Sequence, residues 1–338
     1  MKLRVGLVGL GEAWEVRHGR ALRALGDRFD VRAVCDEVAL RAEQAARDLD
    51  AVAVDGYRAL AARKDIDAIL MLSPQWFGPM PIFAACESGK AVYCAAAFDI
   101  QPAQVRHVKE HVQRAGIAFM AELPRRLEPA TLRLKELIAT RLGRPRLLFC
   151  HQRMVVRQDG GHRHHDWRSP TATRHLLELI DWCHYVIGRQ PTSVIGVKHL
   201  ATGKSSADDY QMMSLDFSEV GSAGSGPLAQ ISCGHYIPST WHEAIAFRPP
   251  AALQVCCENG VAFVDLPSTL IWFDEAGRHL ESLESERPVG EQLLAQFHRA
   301  VTSLVRVSSD LEDAYRAVTV LLSAYDSCTN GQRKSLEF

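Results

Sequence analysis

The chain has 338 residues, of which 47% are hydrophobic and 23% charged, and a formal net charge of -1 with histidine neutral. That length supports two cored domains, and the composition is that of a globular protein. The near-zero charge gives no electrostatic ground for nucleic acid as a partner, and no apolar run reaches the roughly 18 residues of a membrane span, so neither partner is expected.

The start, Met1-Lys2-Leu3-Arg4, imitates a signal peptide, but Gly9 and Gly11 cut its apolar run and no cleavage region follows. A buried first strand is expected instead. The nine cysteines are odd in number, irregularly spaced and without a C-x-x-C pair, and Cys256 and Cys257 are adjacent. Buried free thiols in a reducing, cytoplasmic compartment fit this pattern better than a disulfide framework. A thiol nucleophile at Cys94 or Cys183 is the alternative.

In chain order, residues 3–8 read as a buried strand, followed by a glycine turn and a helix to about residue 25. Strands at 29–35, 51–54, 66–72, 91–94 and 117–120 then alternate with helices at 38–48, 78–87 and 103–115. Continuous apolar strands alternating with helices predict a Rossmann-type α/β parallel sheet covered on both faces. Leu123-Pro124 marks a boundary, giving a dinucleotide-binding domain over 1–123 and a substrate-binding and oligomerisation domain over 124–338. The second region opens with helices at 130–141 and 171–187. Strands at 192–200, 210–217, 228–233, 253–257, 261–264 and 270–273 follow, and helices at 291–305 and 311–325 close the chain. This predicts an α+β domain with a large, mainly antiparallel sheet. His151 is expected at the start of an apolar-polar strand.

Gly9 and Gly11 follow the first strand directly, where glycine permits a tight turn and close approach of a pyrophosphate to a helix N-terminus. Glu12 and Ala13 open that helix. The third glycine position of the G-x-G-x-x-G fingerprint carries Trp14. Asp36, at the end of the second strand, is expected to accept bonds from the adenine-side ribose and to repel a 2′-phosphate, favouring NAD over NADP. Ser73, Pro74 and Gln75 end the fourth strand and are expected to flank the cofactor. Ala95 and Ala96 end the fifth; they can contact the nicotinamide but cannot exchange a proton.

These segments resemble the Gfo/Idh/MocA oxidoreductases, the glucose-fructose oxidoreductase and inositol dehydrogenase group, over nearly the whole chain. The opening Val5-Gly6-Leu7-Val8-Gly9-Leu10-Gly11, the run Val31 to Asp36, and Ser73-Pro74-Gln75 in place of a Thr-Pro-Asn turn carry the likeness. So do Gly89 to Cys94, Arg126 to Pro129, Leu142-Gly143-Arg144, Ile180-Asp181-Trp182 and Ala324 to Ser327. The resemblance implies NAD or NADP in the first domain, a sugar-like or polyol substrate in the second, and a homodimer or homotetramer built through the second-domain sheet. The family's Glu-Lys-Pro motif is replaced by Ala95-Ala96-Ala97, its histidine by Glu178, and a further histidine by Gly78; Asp181 is retained.

Glu178 and Asp181, three residues apart on one helix, can share a face and hold a proton between them. His184 and His175 lie near that face, and a structural role is equally open for each. The loop His162-Arg163-His164-His165-Asp166-Trp167-Arg168 can bring His165 or Arg168 to the nicotinamide and stack Trp167 on a sugar. A metal site there lacks a recognised spacing, so none is expected. Arg126, Trp167 and Arg168 are the expected substrate contacts. The leading expectation is an atypical NAD-dependent oxidoreductase. A non-catalytic ligand-binding or regulatory protein and a redox-assisted lyase or epimerase are the alternatives.

Overall fold

The computed structural model describes residues 2–95, 104–156, 170–199, 209–238, 240–247, 249–285, 287–303 and 310–338. The chain forms two compact units, Met1–Leu127 with Glu286–Tyr315, and Glu128–Ser285 with Arg316–Phe338.

In the first unit, β1 (Leu3–Val8), β2 (Phe29–Cys35), β3 (Val52–Ala53), β4 (Ala68–Met71), β5 (Ala91–Cys94) and β6 (Phe119–Ala121) form a parallel sheet. Its order is β3-β2-β1-β4-β5-β6. Every residue of β4 and β5 is buried, which is why these strands are apolar without alternation. The connections carry α1 (Gly19–Ala24), α2 (Ala39–Asp48), α3 (Tyr57–Ala61), α4 (Pro74–Phe77), α5 (Met80–Glu87) and α6 (Val105–Ala115). The strand order reverses between β1 and β4, and ligands of such sheets bind outside the strand ends at that point.

A polar cluster is sealed into this unit. His18 and Glu122 are buried, His18 Nε2 lies 3.0 Å from Glu122 Oε2, and Arg17 pairs with Glu122 Oε1. The Tyr93 hydroxyl lies 3.5 Å from His18 Nε2, and His18 Nδ1 has no hydrogen-bond partner. A neutral imidazole with its proton on Nε2 satisfies this arrangement, because it donates to the carboxylate and leaves only a lone pair unmatched. Burial, reinforced by the Arg17 charge, pushes the His18 imidazole down to about 3.

The second unit begins with α7 (Pro129–Leu137), β7 (Pro145–Val156) and α8 (Pro170–Ile187). It continues through β8 (Ser193–His199), β9 (Asp209–Asp216), β10 (Leu228–Pro238), α9 (His242–Ala246), β11 (Leu253–Cys257), β12 (Val261–Asp265), β13 (Thr269–Asp274) and β14 (Gly277–Ser282). The sheet order is β14-β13-β12-β11-β7-β10-β9-β8-β15, with β15 (Lys334–Ser335) on the edge. All neighbours are antiparallel except β7 and β10. His151 lies within β7, which starts at Pro145, not at the beginning of a strand. The register carries Leu280, Ile271, Phe263, Gln254, Phe149, Gln230, Ser214 and Ile195 in one row across the sheet. Leu280, Phe149 and Ile195 in this row are exposed. On the alternate positions, α7 packs against β12 and β13, and α8 against β7 and β10.

Two helices complete the chain, α10 (Val289–Thr302) and α11 (Asp310–Asn330). The sequence reading kept everything after residue 123 in the second domain, whereas α10 folds with the first unit. It buries Leu293, Leu294 and Phe297 in the core formed by β1, β2 and β5. In the second unit, α11 runs close under β8. A Cβ on Gly196 would sit 2.5 Å from the Ala324 carbonyl oxygen, and the Gly196 N–H donates to Ser327 Oγ at 3.0 Å.

Gly196→Ala is expected to destabilise the second unit by about 1–3 kcal/mol, since backbone must move to admit the methyl group; an unchanged denaturation midpoint would contradict this packing. The His18 imidazole is neutral when folded and protonates near 6.5 when unfolded. Its contribution to stability is therefore complete above about pH 6.5 and is lost as pH falls toward about 3. His18→Gln should flatten the loss of the urea midpoint between roughly pH 6.5 and 5, above the range where ordinary carboxylates titrate. Parallel pH profiles for the two proteins would remove His18 from the acid response.

Candidate active site

The residues expected to hold a dinucleotide converge at the ends of β1, β2 and β4. Gly9 has φ +80°, and its N–H donates to the Cys35 carbonyl at 2.8 Å. A Cβ at Gly9 would lie 2.6 Å from Ser73 Cβ, so only glycine allows this turn to pass the end of β4. The Gly11 carbonyl accepts the Trp14 and Glu15 N–H groups at 3.0 and 3.2 Å, which starts the following helix. Residues Trp14–His18 are π-helical, and the Trp14 ring and carbonyl lie against Gly19. Trp14 in the third glycine position thus coincides with a widened first turn. Glu12 is exposed and Ala13 buried there.

Ser73 is buried and its Oγ has no hydrogen-bond partner. An orphaned hydroxyl beside a positive-φ glycine suits a site whose polar ligand completes the hydrogen bonding. Pro74 and Gln75 open α4 immediately after it. Ala95 is buried, and its N–H donates to the Met71 carbonyl at 2.9 Å.

Asp36 occupies the end of β2 but not as a free acceptor. Its Oδ2 accepts the Leu10 N–H at 2.6 Å and its Oδ1 the Val38 N–H at 2.8 Å. Arg41 Nε lies 3.6 Å from Oδ1, and the Asp36 side chain has no exposed surface. The Arg41 guanidinium also lies over the Trp76 ring, 4.8 Å from its centroid. Neither Arg41 nor Trp76 was singled out from the sequence. The signal was available in Arg41 lying in the first turn of the helix after Asp36, and in an aromatic residue following Ser73-Pro74-Gln75.

Arg126, expected at the substrate, forms an ion pair with Asp313 at 2.9 Å. In the second unit, Glu178 and Asp181 are both buried on α8. Arg174 Nε lies 3.3 Å from Glu178 Oε1. His184 Nε2 accepts from the Gln190 side-chain amide at 2.7 Å. Ala96, His165, Trp167 and Arg168 lie outside the described residues. Among the described residues, no group of three or more His, Cys, Asp or Glu side chains is placed to hold a metal ion. No described helix is long and apolar enough to cross a membrane.

Residues 3–123 match the profile of the Gfo/Idh/MocA group, described as an oxidoreductase family with an NAD-binding Rossmann fold. The chain is 23% identical over 210 residues to 2,7-anhydro-N-acetylneuraminate hydratase of Escherichia coli (strain K12), covering 57% of this chain and 52% of that protein. It is 25% identical over 232 residues to inositol 2-dehydrogenase of Rhizobium meliloti (strain 1021), covering 64% of each. The chain therefore spans between half and two thirds of the length of these relatives. Among solved structures, an NAD binding oxidoreductase from Klebsiella pneumoniae superposes with a TM-score of 0.80 at 17% identity, over 100% of this chain and 99% of that one. Aldose-aldose oxidoreductase from Caulobacter crescentus superposes with a TM-score of 0.79 at 14% identity, over 99% and 100%. Residues 3–123 thus match the NAD-binding Rossmann fold of that family's model, and the chain shares the fold of these solved structures.

Proposed function

We propose that the chain is an atypical member of this family, an NAD(P)-dependent oxidoreductase acting at a hydroxyl or carbonyl carbon of a sugar-like or polyol substrate. The observation that carries this reading is the Gly9 turn, held in a left-handed conformation against a buried, unpartnered Ser73 hydroxyl. A nicotinamide dinucleotide bound at such a turn supplies the hydride acceptor or donor. In this reading the backbone from Gly11 to Ala13 binds the pyrophosphate, Ser73 donates or accepts a hydrogen bond at the end of β4, and Ala95 makes an apolar contact. The sequence argument for NAD over NADP rests on Asp36. Its carboxylate is already engaged by two backbone amides, so both nucleotides are proposed here.

Proton handling falls to α8. Glu178 is a carboxylate held against a guanidinium and accepts a proton; Asp181 is buried one turn away. His165 and His184 are secondary candidates, and Trp167, Arg168 and Arg126 are proposed substrate contacts. A redox-neutral, redox-assisted reaction is the second reading. It is favoured by a relative named as a hydratase, a class of reaction with no net change of oxidation state. The open row of the second-unit sheet, with Phe149 at its centre, is proposed to pair with a second copy of the chain as a homodimer or homotetramer.

Calorimetry on nucleotide-free protein is expected to show micromolar or tighter binding of NAD or NADP; binding of neither would sink the oxidoreductase reading and leave a non-catalytic ligand-binding protein. With a sugar or polyol substrate in hand, Glu178→Gln should lower kcat by about a hundredfold, the usual scale of a lost general base. Unchanged kcat from about pH 5 to 9 would exclude Glu178 from proton transfer. Substrate conversion without accumulation of reduced nucleotide would select the redox-neutral reaction. Phe149→Glu should convert the oligomer to monomer in light scattering, because a charge buried without a partner opposes association; an oligomer of unchanged mass would place the interface elsewhere.

A further inference from the structure

Arg41 is in the first turn of α2, and that turn contains no acidic residue. A cation there lies at the positive end of the helix dipole, an arrangement the helix itself disfavours and an anion would relieve. The guanidinium spans three groups at the mouth of the β1–β2 turn. Its Nε faces Asp36 Oδ1 at 3.6 Å, one terminal nitrogen reaches the Leu10 carbonyl at 3.4 Å, and its plane lies over the Trp76 ring at 4.8 Å. Even so, 39% of the side chain is exposed, against 0% for Asp36. The group that meets a ligand at the end of β2 is therefore a cation, and the carboxylate behind it is neutralised and capped. Glu37 beside it is exposed, where solvent screens its charge.

We infer that Arg41, rather than Asp36, reads the adenosine ribose of the dinucleotide, and that it admits a 2′-phosphate through its guanidinium and the positive end of α2. The Trp76 ring keeps the guanidinium at this rim. The inference rests on the dinucleotide-binding reading of the first unit. It assigns to that site a preference, phosphorylated over unphosphorylated ribose, opposite to the one an aspartate at the end of β2 ordinarily signals.

The test is the ratio of NADP to NAD dissociation constants, measured by calorimetry on nucleotide-free protein, for the wild type, Arg41→Gln and Arg41→Lys. ADP-ribose with and without a 2′-phosphate serves as a paired probe free of the nicotinamide. Arg41→Gln is expected to weaken NADP and the phosphorylated probe by about tenfold or more, the scale of one charged hydrogen bond, while NAD changes less than about threefold. Arg41→Lys, which keeps the charge and loses the fork, should fall between them. Because both nucleotides are read on the same protein, a general loss of folding lowers both affinities and leaves the ratio untouched. A ratio unchanged in an Arg41→Gln variant that still binds NAD as the wild type does overturns the inference while leaving the oxidoreductase reading intact. Binding of neither nucleotide by the wild type overturns both.

Discussion

The Asp36 carboxylate fixes the geometry on which the first unit's site depends. β1 and β2 are joined by sheet hydrogen bonds only as far as Val8 and Cys35. Beyond that point the Gly9 amide still finds the Cys35 carbonyl, but the Leu10 amide has no strand to pair with and is taken by Asp36. A carboxylate withdrawn from water must be matched by donors, and the second is the Val38 amide at the entry to α2. One side chain thus ties the exit of β1 to the exit of β2. The turn from Gly9 to Gly11 is held from the β2 side by this carboxylate and from the β4 side by Ser73.

The same unit owes its core to a segment far along the chain. Leu293, Leu294 and Phe297 of α10 pack with residues of β1, β2 and β5, and the Phe297 ring meets Tyr93 edge-on at 5.5 Å. Gly290 at the start of α10 lies so near Arg17 that a Cβ there would be 2.6 Å from the arginine Cγ. Arg17 is the partner of buried Glu122, so α10 also covers the ion pair from which His18 and Tyr93 hang. Completing this core requires contacts across nearly the full length of the chain, a high loop-closure cost that local strand-helix units do not carry.

What could be read from the sequence follows from how local its causes are. The buried strands of the parallel sheet were legible because burial on both faces makes each a continuous apolar run, as β4 and β5 show. Gly9 was legible because a left-handed turn after a strand needs glycine. The polar edge strand β14, with Arg278, His279 and Glu281, gave no such run and was not anticipated. Amphipathic periodicity marked α10 as a helix but carried no information about which core its apolar face would join. Glu122 reads as an ordinary polar residue after a strand; its burial follows from Arg17, about a hundred positions earlier. Asp36 was found in the expected place, but its commitment to Leu10, Val38 and Arg41 is a matter of side-chain geometry that spacing alone does not encode.

The proposed chemistry turns on how charge and proton transfer are divided. A lysine beside a reacting oxygen combines two tasks, local positive charge and an exchangeable proton. Alanine at Ala95 and Ala96 performs neither. In the proposed reading, the two tasks fall on different side chains of α8. Arg174 carries a charge that no accessible pH removes, and its guanidinium cannot serve as a proton donor at neutral pH. Glu178, held 3.3 Å away, can exchange a proton but carries the opposite charge. The pair is close to neutral as a unit, so it provides less electrostatic stabilisation to a developing alkoxide than a lysine would. A site of this composition is better suited to removing a proton than to holding an oxyanion. In the proposed reading, that favours oxidation of a hydroxyl, or a sequence in which the hydride is later returned, over reduction of an unactivated carbonyl.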